Sequence, residues 1–238
     1  FGPSLASRGK PVESLLLPGL AVSMQLGAMA LLLALLIGIP MGTLAALYRG
    51  KWQDRIAMLV AIAGVSVPAI VLGPVLYWFF GLYLGWLPVA KWADLDEGVG
   101  EYVRHAILPA TTLGVGLSAI VARLTRASLL QVLQEDYIRT AHAKGLLLRV
   151  VTVRHALRNS LIPVVTYLGP LAASVLTGSL IVEQIFAIPG MGRHFVTSIS
   201  NRDYPMVMAV VVLYSLIIVV FNLLVDMLYV FLDPRIEG

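Results

Sequence analysis

Residues 56–90 read IAMLVAIAGVSVPAIVLGPVLYWFFGLYLGWLPVA, a run without one charged side chain. A helix needs about 20 apolar residues to cross the ~30 Å hydrocarbon core of a bilayer, so the run is too long for a single straight span. Pro68, Gly73-Pro74, Gly81, Gly85 and Pro88 punctuate it. It is either one span plus an interfacial helix or two short spans, and the choice sets the sidedness of everything that follows.

The rest of the chain makes a bilayer the only reasonable solvent. Of 238 residues, 59% are hydrophobic and 13% charged, with mean hydropathy +0.89; soluble domains run nearer half apolar and a quarter charged. The absence of cysteine removes disulfides, thiolate metal sites and cysteine nucleophiles. Five stretches have the length and composition of spans: roughly 20–47, 56–82, 106–130, 161–185 and 206–231.

Counting bases decides the 56–90 question. With one span there, eleven Lys/Arg (Arg49, Lys51, Arg55, Arg123, Arg126, Arg139, Lys144, Arg149, Arg154, Arg158, Arg235) share one side, against six (Arg8, Lys10, Lys91, Arg104, Arg193, Arg202) on the other. With two spans the split becomes seven inside and ten outside. The positive-inside rule selects five spans, with the N-terminus outside and both residues 131–160 and the C-terminus cytoplasmic. Trp78, Trp86 and Trp92, with Tyr77, Tyr83 and Tyr102, then fall where an outer aromatic belt sits. The acidic stretch Asp94, Asp96, Glu97 and Glu101 lies on the outer side, as a solvated face more readily than as a site for a cation. Residues 1–19 start with Phe1 and lack the layout of a signal peptide, so a preceding segment is expected to be missing or processed.

Between the third and fourth spans lies QEDYIRTAHAKGLLLRVVTVRHALRNSLIP (134–163). Asp136 reads as a cap, Tyr137, Ile138 and Ala141 have helical spacing, and Gly145 supplies a left-handed stop. Residues 146–159 carry a second helical period into the next span, with Pro163 near its first turn. The result is a helix, a bend and a second helix on the cytoplasmic face. On physics alone it is equally an interfacial helix held by anionic lipid.

The string DYIRTAHAKG…RHALRNSLIPVV resembles the cytoplasmic loop of binding-protein-dependent ATP-binding-cassette importers, specifically the B-type permeases of the oligopeptide, dipeptide, glutathione and nickel branch. ILPATTLG (107–114), ARLTRASLLQVL (122–133), GSLIVEQIFAIPGMGRHFV (178–196), NRDYP (201–205) and NLLVDMLYVFLDPRI (222–236) are similar to the same branch. Arg158 stands where importers in general usually carry Pro. The resemblance implies an all-α polytopic helix bundle with a cytoplasmic coupling helix. The family has six spans, so the five here imply that the first is absent. It divides the chain into an external segment (1–19), a transmembrane domain (20–232) with a coupling segment near 131–160, and a cytoplasmic tail (233–238).

The same resemblance assigns Asp136, Tyr137, Arg139, Ala141, Lys144 and Gly145 to an ATPase-coupling interface. It assigns Pro189, Gly190, Gly192 and Arg193 to an outer gate or a contact with a binding protein; a plain connecting turn is the alternative. No G-x-x-x-x-G-K-[ST] motif is present, so ATP and magnesium belong on partner subunits. The implied partners are a second related permease, two ATPase subunits, an external solute-binding protein and the lipid bilayer, with no nucleic acid. The implied place is a bacterial inner membrane. The implied activity is import of oligopeptides or dipeptides by alternating access, with glutathione or nickel as alternatives; the chain itself is no catalyst.

An ion-coupled secondary transporter would need mid-depth carboxylates and usually internal repeats. An intramembrane enzyme would need a catalytic set, and none is in the sequence. A structural anchor with some other cytosolic partner is excluded only by the string match. Glu183, Asn222 and Asp226 are the polar residues singled out within spans; for Asn222 and Asp226 interhelical hydrogen bonds are the commoner role. Ser66, Pro68, Thr111, Thr112 and Ser118 mark close helix packing or a path between helices. The four histidines are scattered without metal-ligand spacing.

Overall fold

A computed structural model of the chain describes residues 2–7 and 9–232. In chain order these form α1 (Val12–Leu47), α2 (Trp52–Ser66), α3 (Ala69–Leu76) running into a π-helical turn (Tyr77–Tyr83), a 3-10 turn (Leu95–Glu97), α4 (Val99–Val132), α5 (Asp136–Ala143), α6 (Leu148–Val150), a second π-helical turn (Val151–Ala156), α7 (Leu157–Ser160), α8 (Ile162–Ile185), α9 (Met191–Ser200) and α10 (Tyr204–Leu232). Among the described residues there is no β-strand, only an isolated bridge between Pro3 and Pro11. The fold is an all-α membrane bundle.

Helices cover all five expected spans. α1, α4 and the Tyr204–Leu224 part of α10 are each long and apolar enough to cross a bilayer, and α2 with the helix after it qualifies as a bent pair. α8 has 24 residues, about 36 Å at 1.5 Å per residue. The second span is not one continuous helix: it breaks between Ser66 and Ala69. Pro68 causes this. It has no N–H to donate, it holds an extended conformation (φ −62°, ψ 143°), and its ring drives Val67 out of the helical region.

Two further differences have clear reasons. α1 starts at Val12, eight residues before the expected span, and runs through Pro18 and Gly19. Val12 and Leu16 are fully buried against Met191, Met206, Ala209, Val210 and Tyr214, and tertiary packing of this kind outweighs local propensity. The stretch read as a Pro-Gly-x-Gly turn is a turn only as far as Gly190; Met191, Gly192 and Arg193 open α9.

The chain divides into two compact units, residues 1–33, 67–114 and 170–221, and residues 34–66, 115–169 and 222–238. In the first, the cluster around Val12 and Met191 is the core. In the second, Ala46, Leu129, Ile138, Ala141, Val151 and Ala156 form the core. There α1 and α4 meet backbone to backbone at a G-x-x-x-G pair: a Cβ on Gly38 would lie 2.6 Å from the Ser118 carbonyl oxygen, and one on Gly42 2.4 Å from that of Ala122. Small residues at such spacing are how membrane helices approach closely. The hydroxyls of Thr112 and Ser118 are buried and donate to Leu108 and Val115 carbonyls of their own helix, which fits packing. In the acidic stretch Glu97 pairs with Lys91 at 3.2 Å and Glu101 with Arg104 at 3.1 Å. The side chain of Asp226 and residues 233–238 lie outside the described residues.

Candidate functional site

The polar insert folds as a two-faced helix. α5 presents Ile138 (1% exposed) and Ala141 (8% exposed) to Leu129, Ala46, Val151 and Ala156. Asp136 and Arg139 lie on its opposite face, Tyr137 flanks the buried one and Lys144 caps the end, all four exposed. Asp136 is the first helical residue; Glu135 holds the capping position, with no side-chain cap. The carboxylate of Asp136 still sits at the positive end of the helix dipole, 3.5 Å from Arg139.

The helix stops as a Schellman motif. The Leu146 N–H donates to the Ala141 carbonyl at 3.3 Å and the Gly145 N–H to that of His142 at 2.9 Å, with Gly145 at φ +77°. That closure requires a left-handed residue after the last helical turn, which glycine adopts without steric penalty. The Asn159 amide then donates to the Tyr137 hydroxyl at 2.9 Å, tying α7 back to α5. A cavity of about 310 Å³ opens beside the bend, lined by Tyr137, Thr140, Ala141, Lys144, Leu146 and His155. Leu147 next to it is 74% exposed.

The structure thus places four of the six expected coupling residues on α5 and Lys144 and Gly145 in the turn that ends it, and splits their work. Ala141 is an inward anchor; the other five are exposed. Ile138, the main anchor, went unassigned in the sequence, as did the exposed pair Leu146-Leu147. Ile138 was readable from the i, i+3 spacing with Ala141; nothing in the leucine run marked which of its residues stay uncovered.

The second candidate region, in the other unit, centres on Glu183. This carboxylate is fully buried. Ser23 of α1 donates to its Oε1 at 2.7 Å, and the Gly192 and Arg193 N–H groups donate to its Oε2 at 2.8 and 3.3 Å. The Ser23 hydroxyl also accepts the Met191 N–H at 2.9 Å. One acidic side chain therefore satisfies the free N–H groups that open α9, an arrangement that helix termini favour. The preceding turn places Ala187 at φ +53°, and the Ile188 N–H donates to the Glu183 carbonyl at 2.9 Å. Of the four expected gate residues, Gly190 and Gly192 are buried against Glu183, while Pro189 and Arg193 are exposed. The glycines shape the turn; only Pro189 and Arg193 are open to a partner.

Asp203, at the head of α10, does a similar job. Ser4 donates to its Oδ2 at 2.5 Å, and the N–H groups of Leu5, Ala6 and Met206 lie at 3.2–3.4 Å from its oxygens. Burial alone would raise this carboxyl, but the Ser4 hydroxyl and the three N–H groups outweigh it and hold its pKa below the ordinary 3.8. A carboxyl depressed on folding contributes stability that is present above its unfolded value and lost as pH falls through the folded one. The Leu5 and Ala6 amides should therefore be protected at pH 7 and exposed once the pH drops below the ordinary aspartate range, read by hydrogen exchange. Asp203→Ala should remove that protection at pH 7 and lower stability by about 2 kcal/mol, the loss expected for charged hydrogen bonds. Unchanged exchange in both cases would rule the tether out. Among the described residues no group of three or more His, Asp or Glu is placed to hold a metal.

The fold has solved counterparts: the chain superposes on one from the inward-facing MetNI methionine ABC transporter (native CY5 crystal form) with a TM-score of 0.77, at 17% identity, over 94% of this chain and 99% of that one. It also matches a chain from an amino acid ABC transporter with histidines at a TM-score of 0.67, 17% identity, over 91% of this chain and 94% of that one.

Residues 38–238 match the family of binding-protein-dependent transport system inner membrane components, and the chain belongs to that family. All of it aligns with the dipeptide transport system permease protein DppB of Bacillus subtilis (strain 168), at 46% identity over 74% of that protein. It aligns equally fully with the oligopeptide transport system permease protein OppB of Haemophilus influenzae, at 41% over 76%. The glutathione transport system permease protein GsiC of Escherichia coli (strain K12) matches at 41% over 74%.

Proposed function

We propose that this chain is the permease subunit of an ATP-driven peptide importer, with dipeptides or oligopeptides as cargo and glutathione next. Residues 131–160 and the C-terminus face the cytoplasm of a bacterium, in agreement with the eleven-to-six split of basic residues. A second related permease completes the pathway. An external binding protein delivers cargo to the side of Pro189 and Arg193, and two ATPase subunits hold the ATP and magnesium.

The observation that carries this reading is α5 itself: an element anchored to its own unit by Ile138 and Ala141, with a charged, grooved face left uncovered. An amphipathic helix laid in a partner's groove is a recurring recognition mode. Closing of the ATPase pair on ATP would move α5 as a rigid lever, and the spans rooted in the same core would follow, switching access from outside to inside. Names of the relatives at 41–46% identity support peptides as cargo.

The test is purification of the full-length protein in mild detergent with whatever accompanies it, for the wild type and Gly145→Trp. Two ATPase copies and one related permease are expected with the wild type. Gly145→Trp should lose the ATPases, since a side chain at φ +77° strains the bend by about 1–2 kcal/mol and shifts the face beside it. A wild-type protein that emerges without any ATPase would defeat the reading and favour an ion-coupled transporter. Uptake of labelled dipeptide, oligopeptide and glutathione by the reconstituted complex then assigns the cargo.

A further inference from the structure

The unit that holds α5 also contains a partly buried ion pair outside the candidate sites above. Arg126 of α4 donates through Nε to Asp54 Oδ1 at 2.7 Å and through Nη2 to Oδ2 at 2.8 Å. The same carboxylate accepts the Gly50 N–H at 2.9 Å. The side chains are 27% and 7% exposed. Gly50, at φ +77°, lies in the tight link between α1 and α2.

We infer that Asp54 and Arg126 are positioning residues for transport: the pair that passes movement of α5 into α2 and the α1–α2 link. The path is continuous within one unit. Ile138 and Ala141 of α5 pack in one cluster with Leu129 of α4 and Ala46 of α1. Arg126 stands one helical turn before Leu129, and Gly50 one turn beyond Ala46. α1 and α4 are already locked at Gly38 and Gly42 by backbone contact. Near the start of α2 it is the ion pair that ties this helix to α4.

Charge at this point is informative. A partly exposed ion pair contributes only modestly to stability. A two-pronged guanidinium–carboxylate contact instead fixes distance and angle together. Such a contact turns α4 and α2 as one body rather than letting them slide.

This inference rests on the importer reading, so the experiment keeps the two apart. The complete transporter is reconstituted in vesicles, and cargo moved per ATP hydrolysed is measured for wild type, Asp54→Asn, Arg126→Lys and Asp54→Glu. Co-purification of the ATPases is checked for each. Asp54→Asn should keep the ATPases and their hydrolysis while cargo per ATP falls at least about fivefold, the lower end of ordinary coupling between sites. Asp54→Glu, which keeps the charge and the fork, should recover most of it. If Asp54→Asn does not assemble, Arg126→Lys carries the same expectation, because it keeps the charge and loses the fork. An assembled variant with unchanged cargo per ATP overturns the inference and leaves the importer reading intact. A wild type that brings no ATPase sinks both.

Discussion

Gly190→Ala is expected to abolish transport and to destabilise the protein by about 3 kcal/mol or more. Gly190 sits at φ −88°, where any residue is comfortable, so the effect is purely steric. Its added Cβ would lie 2.3 Å from Cδ and Oε2 of Glu183 and 2.7 Å from Oε1. Flexible side chains usually give way to such an intruder; this one cannot. It is fully buried and held by Ser23, Gly192 and Arg193. Overpacking alone costs about 1–3 kcal/mol. Each donor that loses its acceptor while buried adds about 1–3 kcal/mol more.

The control is Gly100→Ala, near the start of α4, where nothing lies within 4 Å of the new methyl; it should be neutral or slightly stabilising in thermal unfolding of the detergent-solubilised protein. Glu183→Ala should also destabilise, by stranding the same donors. In the double variant Glu183→Ala/Gly190→Ala the steric part vanishes, so the two losses should fall short of adding by more than 1 kcal/mol, as contacting residues do. Additive losses would show that Gly190 and Glu183 do not meet.

What the sequence revealed and hid follows from distance along the chain. The spans were legible because apolar length is a local property, and the end of α5 because one glycine at one position closes a Schellman motif. The two faces of α5 were legible as well, since helical spacing separates Ile138 and Ala141 from Arg139 within a single turn. The three carboxylate knots were not. Ser4 meets Asp203 across 199 positions, Ser23 meets Glu183 across 160, and Arg126 meets Asp54 across 72. No periodicity records such pairings. Pro68 announced the break in the second span. α9 was hidden because its first turn lies inside a motif of glycines, and what makes it helical is a carboxylate from α8 at its N-terminus.

Reversing the exposed charges of α5 should separate assembly from folding more sharply than any other change in the second unit. In Arg139→Glu/Lys144→Glu both positions are exposed, so the unfolding temperature should stay near wild type, as surface substitutions usually change stability by no more than about 0.5 kcal/mol. Arg139 loses only its exposed contact with Asp136, and such pairs contribute little. Binding is another matter. A groove matched to two cations meets two anions instead, and like charges brought together at an interface cost several kcal/mol. ATPase retention on a column should fall more than about tenfold, a difference of only 1.4 kcal/mol. Ile138→Asp should do the reverse. It puts an unpaired carboxylate where Leu129, Val151 and Ala156 expect a methyl group, with the loss of several kcal/mol that burying a charge brings, and folding should fail before binding is ever tested. If the charge-reversed protein keeps its ATPases at wild-type strength, the partner grips something other than this face. The exposed Leu146-Leu147 pair beside the groove would then be the surface to change next.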